Sequence, residues 1–443
     1  MEATTAFTFT AAEPVVAREV EFSIALRDWD GEGNRANSIG LFGWCVPRSG
    51  KGISVELYLD GTVIASAPLR IERPDVVNAM ERPDTPLLCG FHLRLSKLVL
   101  PPAAKLELQL YKGDGRGNGL RIALGSISGL QPAAAAANYA ERCQPLLLLG
   151  QGRSGTSYLM SLLGVHPEIL VPGPHPYEMR QPVWLWQAAH VMSSPANITS
   201  QTRDGFEASD PERLGYNPYR SRMWEKVAGA DSAMRWQEES LPSACIDFCK
   251  RQVDEFVDHC AEGRAGRPRF IAQKMLISPV RYFVRNIYAD CREIILVRDF
   301  RDVWLSARSF NRKRGVLSFS RDKFADDLAW LRGMAFTARQ IRLAHAQSGP
   351  RAQLVKYEDL IADPRQTLEG ILRALGVDCS PERVSAIFDA AARRENGKTL
   401  SHRTSLTHNA SGRWQSEMTP EEKTVAAEAL GEELRYFGYG TTG

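Results

Sequence analysis

Near residue 145 the apolar residues of this chain change their period, and the change calls for two different architectures. From about residue 20 to 128 they alternate with polar ones: Ile53, Val55, Leu57 and Leu59 in ISVELYLDG, Phe91, Leu93 and Leu95 in FHLRL, Leu106, Leu108 and Leu110 in KLELQLY. Successive side chains of a strand point to opposite faces, so a period of two describes strands with one buried face. Asp60-Gly61 supplies a two-residue hairpin turn, and the glycine-rich GDGRGNG at 113–119 separates two more strand-like runs. An antiparallel β-sandwich is therefore expected over residues 1–130. The second glycine run has the outline of a dinucleotide signature, but strand-like residues follow it where that signature needs a helix, so it reads as a hairpin loop. QPAAAAANYAERCQ, 131–144, carries no strand pattern and reads as a linker.

From 145 to 443 short apolar runs each feed a helix-like segment. PLLLLG leads into TSYLMSLLG, REIILVRD into RDVWLSARSF, and AQLVKYEDL into PRQTLEGILRALG. Strands that alternate with helices pair in parallel, and the helices cover both faces of the sheet. The expected fold class is α/β, a parallel-sheet domain preceded by the sandwich. In such sheets ligands bind at the carboxyl ends of the strands, where the motifs below fall.

Bulk properties narrow the partners. A net charge of +3, from 55 basic and 52 acidic side chains, is too balanced for nucleic acid or an anionic membrane to be the main partner, so any anion site is local. The first residues, MEATTAFTFTAAEPVV, hold no apolar leader, and no window approaches the ~18 apolar residues of a membrane span. A soluble, cytoplasmic protein is expected. Eight cysteines lack zinc spacing and are expected to be reduced, mostly buried thiols.

The stretch LLLLGQGRSGTSYLMSLLG, 146–164, fits G-x-x-x-x-G-x-S at Gly150 and Gly155, after a strand and opening a helix. Backbone N–H groups there can converge on an anion. A nucleotide triphosphatase would place a lysine where this chain has Thr156, and the cation inside the loop is Arg153, a planar fork suited to one terminal anionic group. In IILVRDFRDVWLSARSF, 294–310, Arg298 closes a strand and Ser306 lies two turns into the next helix, a pair able to clamp a second phosphate.

Together, RSGTSYLMSLLGVHP and LVRDFRDVWLSARSF resemble the sulfotransferase family, whose members bind 3′-phosphoadenosine 5′-phosphosulfate (PAPS) on a P-loop-like α/β fold; the resemblance covers about 145–440. It implies that Arg153, Ser154, Gly155, Thr156 and Ser157 hold the 5′-phosphosulfate, and that Arg298 and Ser306 hold the 3′-phosphate. A sulfonate carries less charge than a terminal phosphate, so side-chain cations and backbone dipoles suffice and no metal is expected. Asp299, flanked by Arg298 and Arg301, is expected to orient them.

The acceptor hydroxyl needs a general base. The resemblance implies Glu178, from Glu178-Met179-Arg180, with His175 as a rival, and Lys274 in RFIAQKMLISP as the cation beside the leaving group. His166, before a proline, is expected to be structural. RTSLTHNASGRWQSEM, 403–418, resembles the family segment that closes over the nucleotide, with Arg413 and Trp414 as contacts and Ser405 and Thr407 as weaker candidates. The basic NRKRG at 311–315 reads as a phosphate or acceptor contact, or as a solvated face.

GWCVP, RPDV and CGFHL resemble β-sandwich modules found beside bacterial glycan-modifying enzymes, which points to a bacterial protein and a carbohydrate acceptor. Trp44 and Phe91 are expected in the core rather than as sugar platforms. Two alternatives stay open: a P-loop kinase using ATP and Mg²⁺, and a glycan-binding protein with an inactive α/β half.

Overall fold

The computed structural model describes residues 7–12, 19–26, 38–80, 82–101, 103–113, 119–130, 138–173, 175–193, 229, 232, 236, 240–264, 266–395 and 411–440. Ser405, Thr407 and the centre of the glycine-rich run, 114–118, lie outside the described residues. Two units divide the chain, one of residues 1–140, 182–252 and 279–287, the other of 141–181, 253–278 and 288–443.

The first unit carries strands β1 (Thr8–Ala11), β2 (Val20–Ala25), β3 (Ser38–Pro47), β4 (Gly52–Leu59), β5 (Thr62–Pro68), β6 (Ile71–Glu72), β7 (Leu88–Ser96), β8 (Ala103–Gly113) and β9 (Gly119–Leu130). They form two sheets, β1-β9-β8-β4-β5 and β2-β3-β7-β6, with every described pairing antiparallel. The period of two is visible in the burial: Val55, Leu57, Leu106, Leu108 and Leu110 are fully buried while Lys105 and Glu107 between them are exposed. Asp60 (φ 50°) and Gly61 (φ 76°) both take the left-handed backbone that a tight hairpin between β4 and β5 requires. Phe91 is fully buried, and Trp44 packs half-buried on Val46, Val76 and Cys89, so both serve the core. The helix Val280–Ile287 belongs to this unit: Asn286 donates to the carbonyls of Leu98 and Leu100 at 2.9 and 2.7 Å.

The second unit is built on β10 (Gln144–Gly150), β11 (Ile169–Leu170), β12 (Phe270–Met275), β13 (Arg292–Val297) and β14 (Ala352–Lys356), all parallel, in the order β11-β12-β10-β13-β14. Its helices are α1 (Thr156–Leu163), α2 (Phe300–Arg314), α3 (Asp327–Ala346), α4 (Tyr357–Ala362), α5 (Pro364–Leu375), α6 (Pro381–Glu395), α7 (Trp414–Glu417) and α8 (Pro420–Tyr436). Leu146, Leu148, Ile294 and Leu296 pack with Leu159, Leu163, Ile371 and Ile387 from α1, α5 and α6. The alternate residues Leu147, Leu149, Ile295 and Val297 are also at most 1% exposed, so the other face is covered too. This is the α/β architecture that continuous apolar strands predict. All eight cysteines lie among the described residues as thiols, and six are buried.

The strand order positions the site. β10 is central, flanked by β12 and β13, with Leu148 opposite Lys274 and Gly150 opposite Leu296. β14 continues the row, with Val297 opposite Lys356. The segments that follow β10, β12, β13 and β14 therefore leave the sheet side by side along one edge. The glycines of the first segment are required by space. A β-carbon at Gly150 would lie 2.9 Å from the carbonyl oxygen of Leu296, and one at Gly155 (φ 95°) would overlap the ring of Tyr357.

Gly155→Ala combines left-handed strain with that overlap, so it is expected to cost about 2–4 kcal/mol of stability. Chemical denaturation measures the loss, and a loss under about 0.5 kcal/mol would show that the loop adapts freely.

Candidate active site

The loop 151–155 leaves β10 at the sheet edge and runs into α1. Arg153 (φ 74°) and Gly155 (φ 95°) both take left-handed backbone. Gly155 caps α1 with no side-chain oxygen, so an anion can take the place of the usual cap at this helix end. The Ser154 hydroxyl, 1% exposed, turns back to donate to the Gln151 carbonyl at 2.7 Å and shapes the loop. Thr156 is buried at the first position of α1.

Arg298, at the end of β13, donates from Nη1 to the Arg153 carbonyl at 2.9 Å. Arg153 Nε in turn donates to the Ser306 hydroxyl at 3.2 Å. The two motifs, far apart in sequence, thus meet in one cluster. The Arg153 guanidinium lies 5.1 Å from the centre of the Phe310 ring, and that of Arg298 lies 4.5 Å from the centre of the Tyr357 ring. Burial first, and then the like charge of Arg298, hold the Arg153 pKa below the ordinary guanidinium value, with Tyr357 acting the other way. An anion placed against both arginines would relieve that repulsion.

Across β10, at the end of β12, Lys274 Nζ donates to Glu178 Oε1 at 2.8 Å, to the Ser157 hydroxyl at 3.1 Å and to the Pro176 carbonyl at 3.2 Å. Arg180 stands 3.7 Å from the other Glu178 oxygen. Burial by itself would raise the Glu178 pKa, but the hydrogen bond and charge of Lys274, with Arg180, outweigh it and hold the carboxyl below its ordinary value. His175 is exposed, its ring edge-on to Tyr177 at 5.8 Å. Glu178 is thereby connected to the loop through Lys274 and Ser157.

Arg413 is held by Glu417 in a bidentate pair at 2.7 and 2.8 Å. Trp414, 6% exposed, lies beneath the Arg301 guanidinium, which is 3.4 Å from its ring centre. Asp299 caps α2 and binds Arg301 at 2.9 and 2.7 Å. In NRKRG, Asn311 bonds Ser318, and Arg312, Lys313 and Arg314 form the last turn of α2, where cations complement the helix dipole. His166 receives the Glu168 amide on Nδ1 at 3.2 Å, which leaves Nε2 to donate to the Asp378 carbonyl at 2.9 Å, a structural role.

Sequence reasoning missed two residues of this cluster. Tyr357 follows β14 at the same edge, lies against Gly155 and carries Arg298; its place directly after a strand is the signal that could have found it. Asp302, in the first turn of α2, is fully buried and binds the segment at 412–414.

A model of the Sulfotransferase family matches residues 145–381, more than half of the chain. The chain belongs to that family. It is 25% identical to carbohydrate sulfotransferase 5 of Mus musculus over 293 residues, covering 58% of this chain and 71% of that protein. Among solved structures it is similar to a mouse sulfotransferase complexed with PAP, at 13% identity and a TM-score of 0.38, over 66% of this chain and 85% of the other. It is also similar to the sulfotransferase domain of the curacin biosynthetic pathway, at 16% identity and a TM-score of 0.36, over 65% of this chain and 98% of that domain.

For this sulfotransferase the Lys274–Glu178 pair makes the pH profile informative. Lys274→Met removes the main influence lowering the Glu178 pKa and leaves only Arg180 to oppose burial, which raises it. The acid limb of kcat/KM, which reports the free enzyme, is expected to move to higher pH. A limb that stays in place would remove Glu178 from the role of base.

Proposed function

We propose that the chain is a PAPS-dependent O-sulfotransferase whose acceptor is a carbohydrate hydroxyl. The observation that carries this reading is the cluster of Arg153, Arg298 and Ser306 beside a glycine loop that lacks the triphosphatase lysine. Two guanidiniums, that of Arg298 buried and that of Arg153 half-buried, suit two separated anionic groups of one nucleotide, and family membership supports a sulfonate as the group transferred. The carbohydrate acceptor is supported by the similarity to a protein named as a carbohydrate sulfotransferase.

In this reading Arg153 and the leading amides of α1 hold the phosphosulfate, while Arg298 and Ser306 hold the 3′-phosphate. The acceptor oxygen attacks sulfur in line as the bond from sulfur to the bridging oxygen breaks. The hydroxyl proton passes to Glu178, whose depressed pKa keeps it ionised at neutral pH. Lys274, within one hydrogen bond of both Glu178 and Ser157, is placed to neutralise charge on the departing bisphosphate.

Adenosine 3′,5′-bisphosphate at a hundredfold excess over its Kd is expected to stabilise the protein by about 2.7 kcal/mol, and more than Mg-ATP does. With PAPS and a panel of hydroxylated glycans, Arg153→Ala is expected to lower kcat by roughly 10²–10³. Arg298→Ala is expected chiefly to raise the KM for PAPS. Greater stabilisation by Mg-ATP would favour a kinase instead, and full activity of both variants would remove these residues from their roles.

A further inference from the structure

The first turn of α2 carries a carboxylate for which the reaction above has no use. Asp302 is fully buried, and no arginine or lysine is bonded to it among the described residues. Its two oxygens accept instead from backbone N–H groups more than a hundred positions away: Gly412 N at 2.6 Å and Trp414 N at 2.9 Å. A buried carboxylate is costly unless fully hydrogen-bonded, so these two bonds fix the backbone of 412–414 against α2. Arg301, itself held by Asp299, covers the Trp414 ring from the same turn. Arg413 lies between the two bonded amides.

Asp302 also stands between two cations. It follows Arg298, which lies just before the Asp299 cap of α2, by four residues, and its charge interacts with both Arg298 and Arg413. In the structure Arg413 is held by Glu417 at 2.7 and 2.8 Å, with its side chain 11% exposed. One buried charge therefore holds the backbone that carries Arg413 and sits within electrostatic reach of the arginine assigned to the 3′-phosphate.

We propose that Asp302 is a positioning residue that couples the 3′-phosphate subsite at Arg298 and Ser306 to the 412–414 segment, so that the phosphate and the segment stabilise one another. The coupling rests on the nucleotide reading given above. Asp302 accepts from the 412–414 backbone and interacts through its charge with Arg298, so ordering either side favours the other. Losing the carboxylate uncouples them, and the cost falls on the 3′-phosphate specifically, because Lys274, Ser157 and the loop amides lie on other elements.

The test compares adenosine 3′,5′-bisphosphate with adenosine 5′-monophosphate by titration calorimetry on the full chain, for wild type, Asp302→Asn and Asp302→Ala. Wild type is expected to prefer the bisphosphate. Asp302→Ala is expected to lose roughly tenfold of that preference, on the order of one charge-assisted hydrogen bond, with the monophosphate affinity unchanged within about twofold. Asp302→Asn keeps the side-chain volume and one acceptor oxygen, so it disturbs the fold less than alanine and is expected to lose about threefold. It also raises the KM for PAPS more than it lowers kcat. A wild-type preference that Asp302→Asn retains in full, or equal losses for both nucleotides, would overturn the coupling alone. Absence of any preference in wild type would overturn the nucleotide reading and the coupling with it.

Discussion

Two arginines joined through one backbone carbonyl organise the carboxyl edge of the parallel sheet. Arg298 reaches the backbone of Arg153 rather than a carboxylate, and it can do so because Arg153 takes a left-handed backbone that turns its carbonyl toward the end of β13. Mutual repulsion is offset by the hydroxyl of Ser306 and by the faces of Phe310 and Tyr357, each ring contributing about 0.5–2 kcal/mol. These contacts make the arrangement tolerable without cancelling the positive charge. The loop after β10, the start of α2 and the start of α4 are thereby fixed in one cluster that an anion would complete.

The beginning of α2 supports this cluster with balanced charge. Arg298, Asp299, Arg301 and Asp302 are each at most 5% exposed, and two positive and two negative groups in five positions leave no net charge to bury. Isolated, any one of them would be strongly destabilising; arranged as an ion pair, a cap and a double amide acceptor, they are accommodated. The same residues that stabilise the helix start therefore set the field at the candidate site.

How much of this was legible follows from the range of each interaction. Alternating Val55, Leu57 and Leu59 announced an antiparallel sheet because strand period is local, and the unbroken Leu146–Leu149 run announced a strand buried on both faces. Gly150, Gly155, Arg298 and Ser306 were readable because spacing along a strand, turn and helix is fixed by backbone geometry. The contact of Lys274 with Glu178 was not readable as a contact: the two lie 96 positions apart, and only the register of β12 beside β10 brings Lys274 to the loop. Tyr357 and Asp302 were missed for the same reason, since their partners come from remote segments. The motif left His175 and Glu178 both open as the base, and the bond that ties Glu178 to Lys274 is one that no local pattern encodes.

The central place of β10 has a consequence for synthesis. Its two partners begin at Phe270 and Arg292, so the strand leaves the ribosome long before either neighbour exists. Loop closure over such distances is slow, and until it happens four consecutive leucines present unpaired, sticky backbone. The strand that seats the candidate loop is thus also one whose apolar backbone stays exposed in the nascent chain until its partners are made.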